Sequence, residues 1–376
     1  MVVELVDRPC DNQWNKLLCE AQPQGTLFQS TYWADFLQKT YGDCPLYFAS
    51  YNKKGAINGV LLAIESCYAK HAIINSASDR NSIRTALLRT AAVPFFQIFL
   101  PSIFWENGPL VLSNQIGPER SNIESIYRGL LTSVVRKTSR DKCYAIKFAR
   151  PHFFADNVKS FSSLGFENKR MGTLLVDLDK PEQDLWKELR KDARTNVRRG
   201  VGQGVYVSKV SKIRELEEFY YLNIQSSKRA NTKLYPFSYF LSLWDSFSPL
   251  DKIAIFIARI KDKTASGALC LMHNGIIHLL TLGDSDFARS NRIRSSDVLI
   301  WNIINWAREQ NFKYFDLSGV ELHKIDAGDK KAYGIYKFKA KWGGKLVEYH
   351  DYKLTLNEKQ ILTCLNPFFS DSTIHN

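Results

Sequence analysis

Apolar and polar positions alternate in two well-separated segments that read alike. Residues 46–64, LYFASYNKKGAINGVLLAI, give a strand, a short basic turn and a second strand. Residues 255–272, IFIARIKDKTASGALCLM, give the same order, with Gly59 and Gly267 similarly placed. In each half a helix, an apolar strand and a closing element follow. In the first half these are Ile123–Lys137, Cys143–Phe148 and Phe161–Phe166. In the second they are Asp297–Gln310, Tyr314–Val320 and Gly334–Gly344. The order recurs after about 170–210 residues, which predicts a duplicated α/β unit with a mixed sheet and helices on its faces.

Between the halves the pattern changes to three-and-four spacing. Leu185, Trp186, Leu189, Ala193 and Val197 form one apolar stripe, which predicts a helix over Glu182–Arg199. Beside the stripe, Arg190, Arg194 and Arg198 make a row joined by Lys187, Lys191 and Arg199. Like charges at that spacing repel, so the row calls for an anionic partner. The plain alternative is a solvated helix face. An apolar run, Ala91–Trp105, is short for a membrane span and carries Pro94 and Pro101. It is read as buried under its domain, with contact at a membrane surface as the lesser alternative.

The chain has 376 residues, 45% hydrophobic and 24% charged, which suits two soluble domains. Its net charge of +13 favours polyanionic partners such as RNA, nucleotide-sugar phosphates or an anionic lipid surface. Seven cysteines (10, 19, 44, 67, 143, 270 and 364) are scattered without a Cys-x-x-Cys pair. That indicates free thiols in a reducing cytoplasm, and the N-terminus shows no signal-sequence pattern. No histidines have metal spacing: His273 and His278 read as hairpin residues, and no metal is expected.

The last quarter carries the most chemistry. Strand Tyr314–Val320 ends in Asp316-Leu317-Ser318-Gly319. A polar loop leads to Gly334-Ile335-Tyr336-Lys337-Phe338-Lys339-Ala340-Lys341-Trp342-Gly343-Gly344, and Lys345–Leu354 reads as a further strand. Lys337, Lys339, Lys341 and Lys345 interleave with Tyr336, Phe338 and Trp342, so this helix can bury rings while presenting ammonium groups to an anion. Gly343-Gly344 supplies the backbone that ends it. This aspartate-plus-glycine strand end, Gly-x-Tyr-x-Phe-Lys helix and Gly-Gly turn resemble the end of the Fem family of aminoacyltransferases, and the likeness extends over most of the chain.

The resemblance implies two GNAT-like (acyl-CoA N-acyltransferase-like) α/β domains in tandem: residues 1–175, to which 345–376 return, and 176–344. It implies transfer of an amino acid from aminoacyl-tRNA to an amine on the stem peptide of a peptidoglycan precursor, with no cofactor. Phe338 and Lys339 match the pair placed at the transition state, and Tyr336 and Gly319 belong to the same substrate-binding motif. Thr26-Leu27-Phe28-Gln29-Ser30-Thr31-Tyr32-Trp33 matches the family's Phe-Gln-Ser-x-x-Trp element, which points to Trp33, and Lys39 follows on the same predicted helix. Ser227-Lys228-Arg229, with Lys233 and Tyr235, matches a loop whose arginine binds the precursor's diphosphate; arginine suits that task by bidentate pairing. Arg190, Arg194, Arg198 and Arg199 are then the expected tRNA contacts. The protein is expected in the cytoplasm, possible contact being with the inner membrane face, and DNA is not an expected partner.

Several chemistries are disfavoured. Gly200-Val201-Gly202-Gln203-Gly204 follows a helix and opens a strand, the reverse of a dinucleotide loop. No Gly-x-Ser-x-Gly elbow, P-loop or His-Glu-x-x-His is present, so no covalent nucleophile and no nucleotide hydrolysis are expected. Residues 289–296, RSNRIRSS, occupy the place of the CoA-pyrophosphate loop and contain no glycine; Ser113–Ser121 is also poor in that pattern. Aminolysis of an ester needs positioning and oxyanion stabilisation, which a lysine can supply. Two departures from the family stand out. Ile146–Pro151 carries no carboxylate, so a general base there is doubtful, and no heptad stretch interrupts Ser208–Lys252, as in an armless member. The rival readings are an N-acyltransferase using CoA or an acyl carrier on a sugar amine, and a non-catalytic protein that binds RNA or membrane surfaces by charge.

Overall fold

Each of the two alternating hairpins lies among the strands of its own unit, and the strands around it repeat. The structure is a computed structural model that describes residues 2–21, 24–66, 102–112, 120–140, 145–150, 158–232 and 234–355. The apolar residues 91–101, most of Ser113–Ser121, Lys233, residues 356–376 and three of the cysteines (67, 143 and 364) lie outside the described residues. The chain divides into two units, Arg170–Tyr349 and the remainder on either side of it.

In the first unit, β1 (Val2–Val6), β2 (Cys44–Tyr51), β3 (Ile57–Ser66) and β4 (Ser102–Trp105) run antiparallel in that order. The short β5 (Leu110–Val111) pairs with β3, and β6 (Ala145–Ala149) lies parallel to β4 after helix Arg120–Arg140. A parallel neighbour requires such a crossover. After β7 (Glu167–Asp177), the second unit repeats the arrangement. Strands β8 (Val205–Lys209), β9 (Ile253–Ile260), β10 (Lys263–His273) and β11 (Ile276–Asp284) run antiparallel, and β12 (Tyr314–Val320) lies parallel to β11 after helix Ser295–Glu309. Two helices join the first two strands of each repeat: Asp11–Glu20 and Thr31–Tyr41, then Ile213–Ala230 and Phe237–Phe247. Strand β7 pairs antiparallel with β12, and Tyr352–Thr355, the end of β13 (Lys345–Thr355), pairs antiparallel with β6.

The alternation did not reveal β1, because its apolar residues do not all face inward: Val2 and Leu5 are exposed. The interior follows the pattern elsewhere. Phe48, Leu61, Ile103 and Ile146 are buried with Leu130 and Val134 of the crossover helix. Phe256, Cys270, Ile277 and Phe315 are buried with Ile300, Ile303 and Ile304 of its counterpart.

The single helix expected over Glu182–Arg199 is two helices, Glu182–Glu188 and Lys191–Gly202. Leu189 and Arg190 are extended between them, so that the Arg190 N–H reaches the Lys341 carbonyl at 3.0 Å. The apolar stripe survives the break, since Leu185, Leu189, Ala193 and Val197 are all buried. Between Ser208 and Lys252 the chain forms two ordinary helices, with no coiled-coil arm among the described residues.

Candidate active site

Strands β11 and β12 pair through only three positions, Ile276↔Tyr314, Ile277↔Phe315 and His278↔Asp316, and then separate. Two irregularities sit at this point. Leu280 has no partner on β10, so β11 carries a bulge, and Ser318 adopts φ +70, a left-handed conformation that a non-glycine residue rarely holds. The opening between the strands is filled by polar side chains.

Asp316, 5% exposed, lies at its base. Its carboxylate accepts from the Thr173 hydroxyl and from the Ser318 N–H at 2.9 Å, and faces His278 Nδ1 at 2.6 Å. Burial raises its pKa, but His278 and the hydrogen bonds from Thr173 and Ser318 outweigh that and bring it down to about 2. On the other side of the ring, His278 Nε2 stands 3.2 Å from Ser318 Oγ, which donates to the Leu279 carbonyl at 2.6 Å. Asp316, His278 and Ser318 therefore form one chain of contacts.

Helix Lys330–Ala340 supplies the cation. It starts at Lys330, four residues before the expected Gly334, and is capped by Asp329, whose side chain accepts from the N–H groups of Lys331 and Ala332. It ends at a turn where Gly343 has φ +79 and a Cβ would fall 3.0 Å from Glu188 Cβ. Lys339 reaches back over β12 and donates to the carbonyls of Ser318 at 3.1 Å and Gly319 at 2.9 Å. Burial of the ammonium lowers its pKa from 10.5 to about 8, with the charge of Asp316 acting the other way. Gly319 is exposed at the strand end, where a Cβ would lie 2.9 Å from the Tyr349 hydroxyl. Phe338 and Tyr336 are half-buried against the core, Phe338 edge-on to Trp342. Lys339, Phe338, Tyr336 and Gly319 are thus together at the end of β12.

The other lysines of the motif divide, which corrects the picture of one cationic face. Lys341 is buried and pairs with buried Asp297 at 2.5 Å, with its ammonium over the Phe338 ring. It pins the helix end to helix Ser295–Glu309. Lys337 and Lys345 are exposed.

Arg229 and Tyr235 flank a second feature of the same unit, a pocket of about 300 Å³ lined by Asn223, Ser226, Tyr239, Leu280 and Thr281 among others. Tyr235 lines it and stacks on Tyr239 at 4.5 Å. Arg229 pairs with Asp286 and donates to Ser226 Oγ at 3.0 Å and the Asp284 carbonyl at 2.6 Å. It is a tie between two elements as well as a candidate anion contact. Lys331, at the start of the motif helix, donates to the Ala230 carbonyl at 2.7 Å beside it.

The remaining expected residues stand apart from this group. Trp33, in the first unit, is 4% exposed and packed against Phe28 and Phe36. Lys39, on the same helix, is exposed. Of the arginine row, Arg194 turns back onto the carbonyls of Leu189 and Lys187, capping the preceding helix and leaving the basic face. Arg190 lies in the break beside Asp192, Arg198 covers the Trp186 ring, and Arg199 is exposed. Sequence reasoning missed His278 and Ser318. The histidine was taken for a hairpin residue, and no local motif links positions 38 and 40 residues apart.

The start of helix Ser295–Glu309, the place of a CoA pyrophosphate in a GNAT domain, is covered by the chain. The Arg294 N–H donates to Gln203 Oε1 at 3.1 Å, and a Cβ on Gly200 would lie 2.8 Å from the Arg294 carbonyl oxygen. Among the described residues no group of three His, Cys, Asp or Glu side chains is placed to hold a metal ion, and no helix is long and apolar enough to cross a membrane.

The acetyltransferase (GNAT) domain family matches residues 187–339. Among solved structures, the chain is similar to FemX at 17% identity, covering 97% of this chain and 100% of that one, with a TM-score of 0.70. A tandem GNAT protein from the clavulanic acid biosynthesis pathway is 9% identical over 94% of this chain and 98% of its own, with a TM-score of 0.56. The C-terminal domain of a putative lysylphosphatidylglycerol synthetase from Agrobacterium fabrum is 13% identical over 93% and 95%, with a TM-score of 0.52. No curated protein matches the chain in sequence. These likenesses are of fold, and they show that the chain has the Fem-like, tandem GNAT architecture.

Proposed function

We propose that the protein is an acyltransferase that moves an amino acid from aminoacyl-tRNA to an amine on a peptidoglycan-precursor stem peptide. The observation that carries this reading is Lys339, a half-buried ammonium whose pKa is lowered to about 8 by desolvation, held at the end of β12 by the carbonyls of Ser318 and Gly319. Such a group stabilises the oxyanion formed when an amine attacks an ester, and that reaction asks little else of a protein than positioning. Phe338 and Tyr336 shape the wall of the site, and Gly319 leaves room above the strand end. The packed start of helix Ser295–Glu309 favours a donor other than acyl-CoA.

Arg229, beside the pocket that Tyr235 lines, is our candidate for the contact to the acceptor's phosphates, with Tyr235 as a further substrate contact and Lys39 as a second phosphate contact. Arg190, Arg198 and Arg199 are the residues left to meet tRNA. A likeness of fold to FemX and to the C-terminal domain of a putative lysylphosphatidylglycerol synthetase supports aminoacyl transfer as the reaction class. The deciding experiment incubates the protein with radiolabelled aminoacyl-tRNAs and nucleotide-linked or lipid-linked muropeptide. Label should reach the muropeptide and be abolished by ribonuclease; transfer that survives ribonuclease, or none from any aminoacyl-tRNA, sinks the proposal.

A further inference from the structure

The buried carboxylate and the half-buried imidazole and hydroxyl at the β11–β12 opening have an order that packing alone does not require. A hydrogen bond from Nδ1–H to Asp316 at 2.6 Å fixes the His278 tautomer and leaves Nε2 as an acceptor facing Ser318 Oγ at 3.2 Å. The hydroxyl has one proton and two acceptors within reach, Nε2 and the Leu279 carbonyl, so rotation about the Cβ–Oγ bond moves the proton between them. Ser318 is held at φ +70 to stand there, and the next residue but twenty, Lys339, binds its carbonyl. Strain of this kind persists only where the surroundings impose it.

We propose that Asp316, His278 and Ser318 form a proton relay that serves the attacking amine. The proposal rests on the acyl-transfer reading above. As the amine nitrogen bonds to the carbonyl carbon of the donor ester, one N–H proton passes to Ser318 Oγ while the hydroxyl proton of Ser318 passes to His278 Nε2. The C–O bond to the donor hydroxyl then breaks, and the proton returns through Ser318 to the departing oxygen. An amide and an alcohol result, with no net change in protons and no redox partner. Ser318 is the group that touches the reactants; His278 and Asp316 are positioning residues that act through it.

Two measurements test this. Long-range ¹H–¹⁵N NMR of the protein alone should show His278 protonated on Nδ1 and not on Nε2 in its neutral form, with the Nδ1 proton signal lost in Asp316→Asn. This readout needs no substrate, so it separates failure of the relay from failure of the acyl-transfer reading. Kinetics then compare the peptide amine with hydroxylamine, a weakly basic acceptor that needs little help in losing its proton. Ser318→Gly and His278→Gln should lower kcat for the peptide amine by on the order of a hundredfold with KM little changed, and lower it markedly less for hydroxylamine. Glycine adopts φ +70 freely, so Ser318→Gly keeps the test open should Asp316→Asn not fold. A neutral Nε2–H tautomer, equal losses with both acceptors, or an acyl group trapped on Ser318 by mass spectrometry would each overturn the relay. Should the wild type transfer to neither amine, the proposed function fails, and the NMR result alone decides whether the relay geometry exists.

Discussion

Replacing Lys339 by methionine separates catalysis from stability, because its burial opposes the charge that the reaction needs. The folded pKa of about 8 lies below the ordinary 10.5, so between these values the unfolded chain binds more protons and stability rises with pH. Below about pH 8 the penalty of holding the ammonium is fully present, at most roughly 3 kcal/mol for a shift of this size. Methionine removes that penalty. It also removes two hydrogen bonds, to the carbonyls of Ser318 and Gly319, which takes back roughly 1–2 kcal/mol because Gly319 is open to water. At pH 7 the variant should therefore be more stable by about 1–2 kcal/mol, a rise in Tm of roughly 2–6 °C for a unit of this length. Transfer should fall by about a hundredfold, the scale of losing one oxyanion-stabilising group, with little change in acceptor KM. In the wild type, kcat should decline as pH rises through about 8, and this limb should vanish in the variant. Calorimetry and single-turnover transfer on the same preparation decide the matter. A Tm that falls in step with the rate would show that Lys339 is a structural clasp for the end of β12 and refute the reasoning.

Lys341→Met should destabilise by about 3–5 kcal/mol in urea unfolding, since it leaves Asp297 buried with only Asn196 nearby at 3.4 Å. Adding Asp297→Leu should restore most of the loss, and an additive pair of losses would show that the two do not interact. Arg229→Ala should raise the acceptor KM about tenfold or more with kcat nearly unchanged, the scale of one charge-assisted hydrogen bond. A fall in kcat alone would remove Arg229 from acceptor binding and leave it as the tie between helix Ile213–Ala230 and Asp286. CoA should show no binding by calorimetry at millimolar concentration, because Gly200 and Gln203 occupy the helix start; a Kd below about 50 µM, roughly 6 kcal/mol, would bring the CoA-dependent reading forward.

The fold was largely legible where the pattern was local. The hairpins of β2–β3 and β9–β10, both crossover helices and the Gly343 turn follow from period-two alternation, three-and-four spacing and a glycine stop. The helix break at Leu189–Arg190 was not legible, since it exists to let the Arg190 N–H meet the Lys341 carbonyl about 150 residues away. The motif lysines looked equivalent in sequence. Burial then gave Lys341 an ion pair, Lys339 a lowered pKa, and left Lys337 and Lys345 in solvent.

The sequence by itself determined which segments alternate, that the pattern occurs twice, and that Phe338 and Lys339 lie on a helix ended by glycine. Those properties depend on neighbours within a few residues, which local sterics and amphipathicity specify. Only the tertiary structure decided what meets at the site. His278 reaches Asp316 and Ser318 because a parallel strand pair must be joined by a crossover, so the residues that it sets side by side are separated by a whole helix in the chain. The tertiary structure likewise decided the electrostatics, because a lysine's charge in sequence is fixed while its desolvation depends on everything packed around it.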